Sequence, residues 1–160
     1  MRQCWIFFYI IVQCTWGILQ TVAGFLLFLR YRTCPHEFLC GAVHTWWKKS
    51  SGISLGLFIF TPEEEAAAQE TGTLRNRESK DSGIKNSEVN RLPAYLTVHE
   101  YGHTIQSLIL GPFYLVVVGV PSVVWANFPA CVRWRKERQI PYSWFWVEKW
   151  ANQLGNWVQF

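Results

Sequence analysis

The sequence predicts a mainly α-helical membrane protein with about two or three apolar helices and a short β-hairpin at the membrane surface. Half of the 160 residues are hydrophobic and only 16% are charged, whereas about a quarter of the residues in a typical soluble domain are charged. The ten tryptophans fit the same class, because amphipathic indole rings favour membrane interfaces. The length predicts a single membrane domain over residues 1–160.

Residues 1–30 predict a transmembrane helix. Residues 5–29 contain no charged side chain, and about 20 apolar residues suffice to span the hydrocarbon core. A cleaved signal peptide is the alternative, but the apolar run is too long and lacks a small-x-small cleavage site. Gln13, Gly17, Gln20 and Gly24 recur at helical spacing, so we expect this face to pack against another helix.

Residues 31–61 predict a β-hairpin region. The stretches 41–47 and 53–60 are rich in β-branched and aromatic residues, and residues 48–52 between them supply a turn with a glycine. We expect the hairpin at the membrane surface, since an open sheet edge is not tolerated in lipid. Residues 62–91 are polar with few large apolar side chains, which predicts a flexible loop.

Residues 92–127 predict a helix that starts at Leu92 and continues into a broken or re-entrant apolar segment. Gly111-Pro112 and Pro121 are the expected breaks, because proline lacks a donor and clashes with the preceding turn. Basic residues flank the apolar segment on both sides, and a single crossing would violate the positive-inside rule. Residues 128–160 then predict a basic loop and an aromatic terminal helix.

The motif His99-Glu100-Tyr101-Gly102-His103 is the most informative feature of the sequence. Residues four apart on a helix share a face, so His99 and His103 can present two imidazole nitrogens to one metal ion. Glu100 lies beside them as a general base for a metal-activated water, as in H-E-x-x-H zinc hydrolases. The motif opens an apolar segment, where ionisable side chains are costly and usually functional. We therefore predict zinc ligands at His99 and His103 and a catalytic role for Glu100.

This motif, on a helix after a strand, resembles the zincin metallopeptidases, in particular the membrane-embedded ones. The segment from Glu148 to Asn152 resembles the Glu-x-x-x-Asp helix of the gluzincin type, as in the CAAX-protease-like membrane peptidases. The resemblance implies that Glu148 is the third zinc ligand and that Asn152, in place of Asp, orients a ligand histidine. Residues 16–21, 54–60 and 100–112 also resemble a group of small bacterial membrane proteins of unknown function. That second resemblance implies an integral protein of the bacterial inner (plasma) membrane, in an orientation left open, and no activity.

A straight helix would keep Glu148 away from the motif. At about 1.5 Å per residue, residues 103–127 would cover roughly 36 Å, which would separate His99 and Glu148 by a membrane thickness. The two groups meet only if the apolar segment bends at one of its breaks. Otherwise the third ligand must come from His44, Glu37 or the acidic loop.

Two classes of function remain open. A membrane zinc metallopeptidase would cleave a peptide or membrane-protein substrate, with the strand at 53–60 adding an extended substrate at its edge. Tyr101, Tyr142 or His44 would then steady the tetrahedral intermediate. The alternative is a non-catalytic small membrane protein with a structural role or a structural metal site. A Glu100→Gln change discriminates, because only the peptidase loses turnover while both keep metal.

The remaining polar and basic features predict partners rather than a second site. The net charge of +4 comes from basic residues beside apolar segments and without a nucleic-acid-binding motif, so we expect the lipid bilayer as partner and no nucleic acid. A possible metal cluster at Cys34, His36, Cys40 and His44 has an uncommon spacing. A Cys34–Cys40 disulfide or unrelated loop residues are favoured there.

Overall fold

The computed structural model describes residues 2–63 and 95–158. This part of the chain is mainly helical, with one small mixed sheet packed beside the helix that carries the histidine motif. The loop predicted at residues 62–91, beyond its first two residues, and the predicted helix start at Leu92 lie outside the described residues.

The predicted N-terminal transmembrane helix is two helices, so the expectation of one continuous helix was wrong. Helix α1 (Arg2–Thr15) and helix α2 (Ile18–Arg30) are bent by 94°. The Thr15 hydroxyl donates to the Ile11 carbonyl at 2.8 Å, a bond that competes with the helical ladder, and Gly17 follows at the break. The Thr21 hydroxyl donates to the Gln13 carbonyl at 2.9 Å and so satisfies a group that the bend releases.

The polar face predicted on these helices does pack against another helix. The side-chain amide of Gln13 donates to the carbonyl of Thr104 at 2.8 Å. The amide of Gln20 donates to the Ser107 hydroxyl at 2.8 Å. Both glutamines are fully buried, so these hydrogen bonds fix α1 and α2 against the motif helix.

The sheet differs from the single hairpin that the sequence predicts. Its strands are β1 (His36–Leu39), β2 (Ala42–Trp47), β3 (Ile53–Leu55) and β4 (Phe58–Pro62), in the order β1-β2-β4-β3. Strand β2 pairs parallel with β4, whereas β3 pairs antiparallel with β4. The stretch 53–60 is itself a hairpin, because Gly56 adopts a left-handed φ of 60° and reverses the chain.

The predicted break in the apolar segment is present. Helix α3 (Tyr95–Leu110) ends at Leu110 and is followed by a 3₁₀ turn (Gly111–Phe113). A π-helical turn (Leu115–Gly119) and helix α4 (Val120–Asn127) come next. Gly111 has a left-handed φ of 52°, and a Cβ there would lie 2.2 Å from the Trp16 indole nitrogen. The π-helical turn ends two residues before Pro121, which cannot donate a helical hydrogen bond.

The C-terminal part of the chain returns to the motif helix. The basic segment predicted as a loop is helix α5 (Pro129–Glu137), so that part of the prediction was wrong; Pro129 stands in its first turn, where a proline is tolerated. A 3₁₀ turn (Tyr142–Trp144) and helix α6 (Trp146–Trp157) follow. Helix α6 is the predicted aromatic terminal helix, and it packs along α3. Between α1, α3 and the sheet, the buried core includes Tyr9 stacked on Tyr101 with ring centroids 6.0 Å apart.

Large apolar side chains cover the outer surface of the helices. The exposed ones on α1, α2, the π-helical turn and α4 include Phe7, Phe8, Leu19, Leu26, Val116, Val120 and Val123. In residues 2–63 and 95–158 no helix taken singly has the length and apolar character to cross a bilayer. Two bent pairs, α1 with α2 and residues 115–127 with α5, have the length and composition together.

Candidate metal centre

Helix α3 brings the two motif histidines together. His99 and His103 lie one turn apart, and their ring centroids are 4.8 Å apart. Both side chains are buried, at 7% and 6% exposure. The two imidazoles that the sequence predicts as metal ligands therefore lie on one face of the helix.

Glu148 on α6 completes the group. Its Oε2 atom lies 3.1 Å from the Nε2 atom of His99 and 3.3 Å from the Nε2 atom of His103. The ligand atoms of the three residues all lie within 4.8 Å of one another, and no other set of three or more metal-binding side chains in the described residues is grouped in this way. The break after α3 allows the chain to return, so the third ligand implied by the resemblance reaches the motif.

Small residues let the two helices approach closely enough for this meeting. A Cβ on Gly102 would lie 1.9 Å from the carbonyl oxygen of Ala151. A Cβ on Gly155 would lie 2.2 Å from the carbonyl oxygen of Val98. Because neither position has room for a methyl group, Gly102 within the motif sets the spacing between α3 and α6.

Amide side chains hold both histidines with the same nitrogen facing the site. The Nδ1 atom of His99 lies 2.8 Å from the Asn152 side-chain oxygen, and Nδ1 of His103 lies 2.7 Å from the Gln106 side-chain oxygen. Amide oxygens only accept, so each Nδ1 carries a proton and each Nε2 is the ring nitrogen that faces Glu148, where it donates when protonated and would coordinate a metal ion when neutral. Asn152 therefore makes the orienting contact that the resemblance implies, whereas the sequence analysis missed Gln106.

The orienting amides are themselves held. The Tyr95 hydroxyl donates to the Asn152 side-chain oxygen at 3.1 Å. The Gln106 amide donates to the Val147 backbone carbonyl at 2.9 Å, which links α3 to the start of α6. The histidine orientation thus depends on a second layer of hydrogen bonds, as is usual at metal sites.

The three clustered groups are electrically coupled. Burial alone would raise the pKa of the Glu148 carboxyl, but the hydrogen bonds from His103 and His99 hold that pKa far below its usual range. Burial alone would lower the pKa of the His99 imidazole, but its hydrogen bond with Glu148 and the nearby charge of Glu100 raise it. Glu148 is therefore a buried, ionised carboxylate, and its negative charge favours a proton or a cation at the point where the two imidazole rings face it.

Glu100 faces the same cleft from the next position of α3. The Ser54 hydroxyl on strand β3 donates to the Glu100 carboxylate, and its oxygen also lies 2.7 Å from the Glu100 backbone carbonyl. A Cβ on Gly52 would lie 2.1 Å from the Glu100 Oε1 atom. The edge of the sheet therefore fixes the orientation of this carboxylate, a role for Ser54 that the sequence analysis missed.

A cleft of about 1070 Å³ opens onto these groups. His99, Glu100 and His103 line it together with strand β3 and the apolar residues of the π-helical turn and α4. Tyr142 also lines the cleft, and its hydroxyl lies 3.2 Å from the Ser122 hydroxyl. The site thus combines convergent polar groups with mostly apolar walls, as ligand-binding clefts commonly do.

The other candidate residues of the sequence analysis lie elsewhere. The Tyr101 hydroxyl donates to the Cys40 carbonyl at 2.9 Å in the buried core. His44 lies in the sheet, 2.8 Å from the Thr61 hydroxyl and 3.4 Å from the Glu37 carboxylate. All five cysteines are free thiols, so the Cys34–Cys40 disulfide is not formed. Of the three tyrosine and histidine candidates for stabilising an intermediate, Tyr142 is the one that lines the cleft.

Comparison of the chain with protein-family models, curated proteins and solved structures gives no match.

Proposed function

We propose that this protein is a membrane-embedded zinc metallopeptidase that cleaves a peptide or membrane-protein substrate with a metal-activated water. The observation that carries the proposal is the ligand set, in which two Nε2 atoms converge on one buried Glu148 carboxylate oxygen. The orientation of both rings is already set by their Nδ1 contacts. Two histidines with a purely structural role would not require both Nε2 atoms to face the same carboxylate oxygen.

The residues present fit a zinc ion. Two neutral imidazoles and one carboxylate are a common set of protein ligands for catalytic zinc. The Oε1 atom of Glu148 is buried and has no hydrogen-bond partner in the described residues, a cost that a bound cation would remove. His99, His103 and Glu148 would hold the ion, and bound zinc supplies Lewis acidity and lowers the pKa of a coordinated water towards neutrality.

Glu100 is suited to move the proton. Its carboxylate lines the cleft next to His99 and does not belong to the ligand group. The Ser54 hydroxyl holds it in place from the sheet edge. In the proposed reaction Glu100 accepts a proton from the attacking water and delivers it to the leaving amine.

Tyr142 is suited to donate a hydrogen bond to the developing negative charge. Its hydroxyl and that of Ser122 contact each other in the cleft. Phenol hydroxyls remain protonated at neutral pH, since their usual pKa is about 10. A positioned donor of this kind stabilises a tetrahedral intermediate.

The apolar surface supports the membrane part of the proposal. Large apolar side chains are exposed on both bent pairs, such as Phe7 at 68% exposure and Val116 at 70% exposure, and extensive exposed apolar surface favours contact with a membrane or a partner protein. The bent pair α1–α2 and the apolar residues 115–127 would lie in the bilayer, and the basic helix α5 would lie at its surface. Helices α3 and α6 would hold the site between these segments. A lipid environment would cover the surface that the described residues leave bare.

The experiment that tests the chemistry compares wild type with Glu100→Gln in detergent. A fluorogenic peptide library is incubated with each protein, and zinc content is measured on the same samples. We expect turnover by wild type and a loss of at least about 100-fold in Glu100→Gln, because general-base contributions reach about 10²–10⁴-fold. Zinc content should be equal. Equal zinc and equal turnover in the two proteins would contradict the role of Glu100, and metal without turnover in either would favour a structural metal site.

A further inference from the structure

Helix α5 carries a set of basic side chains directly after an apolar segment. Arg133, Arg135 and Lys136 lie on α5, and Arg138 follows it. Helix α5 is bent by 64° from the apolar residues 115–127, and none of its residues is buried. An apolar segment that turns into an exposed basic helix is typical of the boundary between acyl chains and lipid headgroups.

A small pocket of about 220 Å³ lies at the end of this helix, apart from the metal cleft. Arg135, Lys136 and Gln139 form its polar lining, and Val132 and Ile140 form the apolar part. Gln139 adopts a left-handed φ of 51°, and the backbone N–H of Ile140 then donates to the Arg135 carbonyl at 2.9 Å. Two cationic side chains and an amide around a small concavity suit an anion of the size of phosphate.

The Arg135 guanidinium is held by aromatic rings, and it pairs with no carboxylate in the part of the chain that the structure describes. Its Cζ atom lies 5.1 Å from the Trp125 ring centre and 5.4 Å from the Tyr142 ring centre. Its Nη2 donates to the Ala126 carbonyl at 3.4 Å. The Nε–H is buried without a hydrogen-bond partner in residues 2–63 and 95–158. A buried, unsatisfied donor on a cationic group costs free energy, and the same side chain is one of the residues that line the pocket.

We propose that Arg135, Lys136 and Gln139 bind the phosphate of an anionic lipid headgroup. The lipid is favoured over free phosphate because an apolar segment leads directly into α5, with exposed side chains at Val116 on the π-helical turn and Phe128 at the bend. These side chains contact acyl chains when the phosphate lies in the pocket. None of the three proposed phosphate-binding residues belongs to the metal centre, so lipid binding can be tested independently of the peptidase chemistry.

The test uses the full chain in neutral detergent, with native mass spectrometry to count bound lipid. Phosphatidylglycerol and phosphatidylcholine are titrated separately as mixed micelles, and inorganic phosphate is titrated as a third probe. We expect wild type to retain one phosphatidylglycerol at a concentration at least tenfold below that needed for phosphatidylcholine. Equal retention of the two lipids, or displacement of phosphatidylglycerol by millimolar inorganic phosphate, would overturn the lipid assignment.

Charge-matched variants separate a built site from a diffuse basic surface. Arg133→Gln removes one positive charge from the same helix, but Arg133 does not line the pocket. We therefore expect this variant to lose at most about fivefold in phosphatidylglycerol affinity, the contribution of any surface cation. Arg135→Gln and Lys136→Gln should each weaken phosphatidylglycerol binding at least tenfold. Lys136 is exposed, so this variant is readable even if Arg135→Gln unfolds. Equal losses for Arg133→Gln and Lys136→Gln would overturn the pocket, and unchanged zinc content in all variants shows that the metal centre is intact.

Discussion

The contact between α3 and α6 at Gly102 makes the sharpest prediction. A Cβ on Gly102 would lie 1.9 Å from the Ala151 carbonyl oxygen, whereas ordinary van der Waals contact begins at 3.4 Å. In Gly102→Ala the two helices must therefore separate by about 1.5 Å (the difference between these two distances). The obstacle is backbone, which cannot rotate aside as a flexible side chain would.

The size of the effect follows from two opposing terms. Alanine improves helix propensity by about 1 kcal/mol over glycine, but overpacking a close contact typically costs about 1–3 kcal/mol and more where backbone must move. Because the obstacle at Gly102 is backbone, we take the upper end of that cost, about 3 kcal/mol, which leaves a net destabilisation of about 2 kcal/mol. Metal–ligand distances tolerate about 0.2 Å, so a shift of this size would move Glu148 on α6 out of reach of the histidines. We expect zinc affinity to fall at least about tenfold.

Gly119→Ala is the matched control. Its Cβ would meet its nearest neighbour, a Leu115 methyl group, at 3.7 Å, which is ordinary contact. Zinc affinity is measured by competition with a chromophoric chelator, and stability by thermal unfolding of the metal-free protein. Gly102→Ala with the affinity and unfolding temperature of Gly119→Ala would refute the argument that this glycine sets the helix spacing.

Three further predictions concern single side chains. Asn152→Ala should weaken zinc binding by about 10–100-fold in chelator competition, because the His99 ring loses its orienting acceptor; Asn152→Asp, which keeps an acceptor, should retain tight binding. Glu148→Gln should lose zinc by elemental analysis, whereas Glu37→Gln, outside the ligand group, should keep it. Burial lowers the pKa of His44 below 6.5 despite the opposing effect of Glu37. As the pH falls below 6.5, the unfolded chain binds a proton at His44 more readily than the folded chain does, so the stability that buried neutral His44 provides above pH 6.5 is lost. Urea unfolding at pH 7.5 and 5.5 should show a smaller difference for His44→Gln than for wild type, and equal differences would contradict this reasoning.

The local part of the site could be predicted from the sequence, because a spacing of four residues fixes two side chains on one helix face. The contact between Gln106 and His103 could have been predicted in the same way, since residues three apart on a helix are neighbours. Ser54 left none, because its contact with Glu100 joins a strand to a helix far along the chain. Such contacts depend on the packing of elements rather than on local spacing.

The larger errors have the same origin. Uncharged composition predicts burial or lipid contact for residues 5–29 but does not encode the bend at Gly17, which the Thr15 and Thr21 hydrogen bonds stabilise. The β-rich stretches were located, but their parallel pairing was not, because the turn at Gly56 divides one apparent strand into two. The break at Gly111 was predicted since proline and glycine act through local backbone geometry.

The most direct test of the metal centre is the zinc content of the purified protein, measured by elemental mass spectrometry beside two histidine variants. His103→Ala removes a member of the ligand group, whereas His36→Ala removes an exposed histidine of strand β1 outside it. We predict about one zinc per chain in wild type and in His36→Ala, and a loss of that zinc in His103→Ala. A well-folded wild type that holds no metal after zinc is supplied, or a His103→Ala variant that keeps it, would contradict the account.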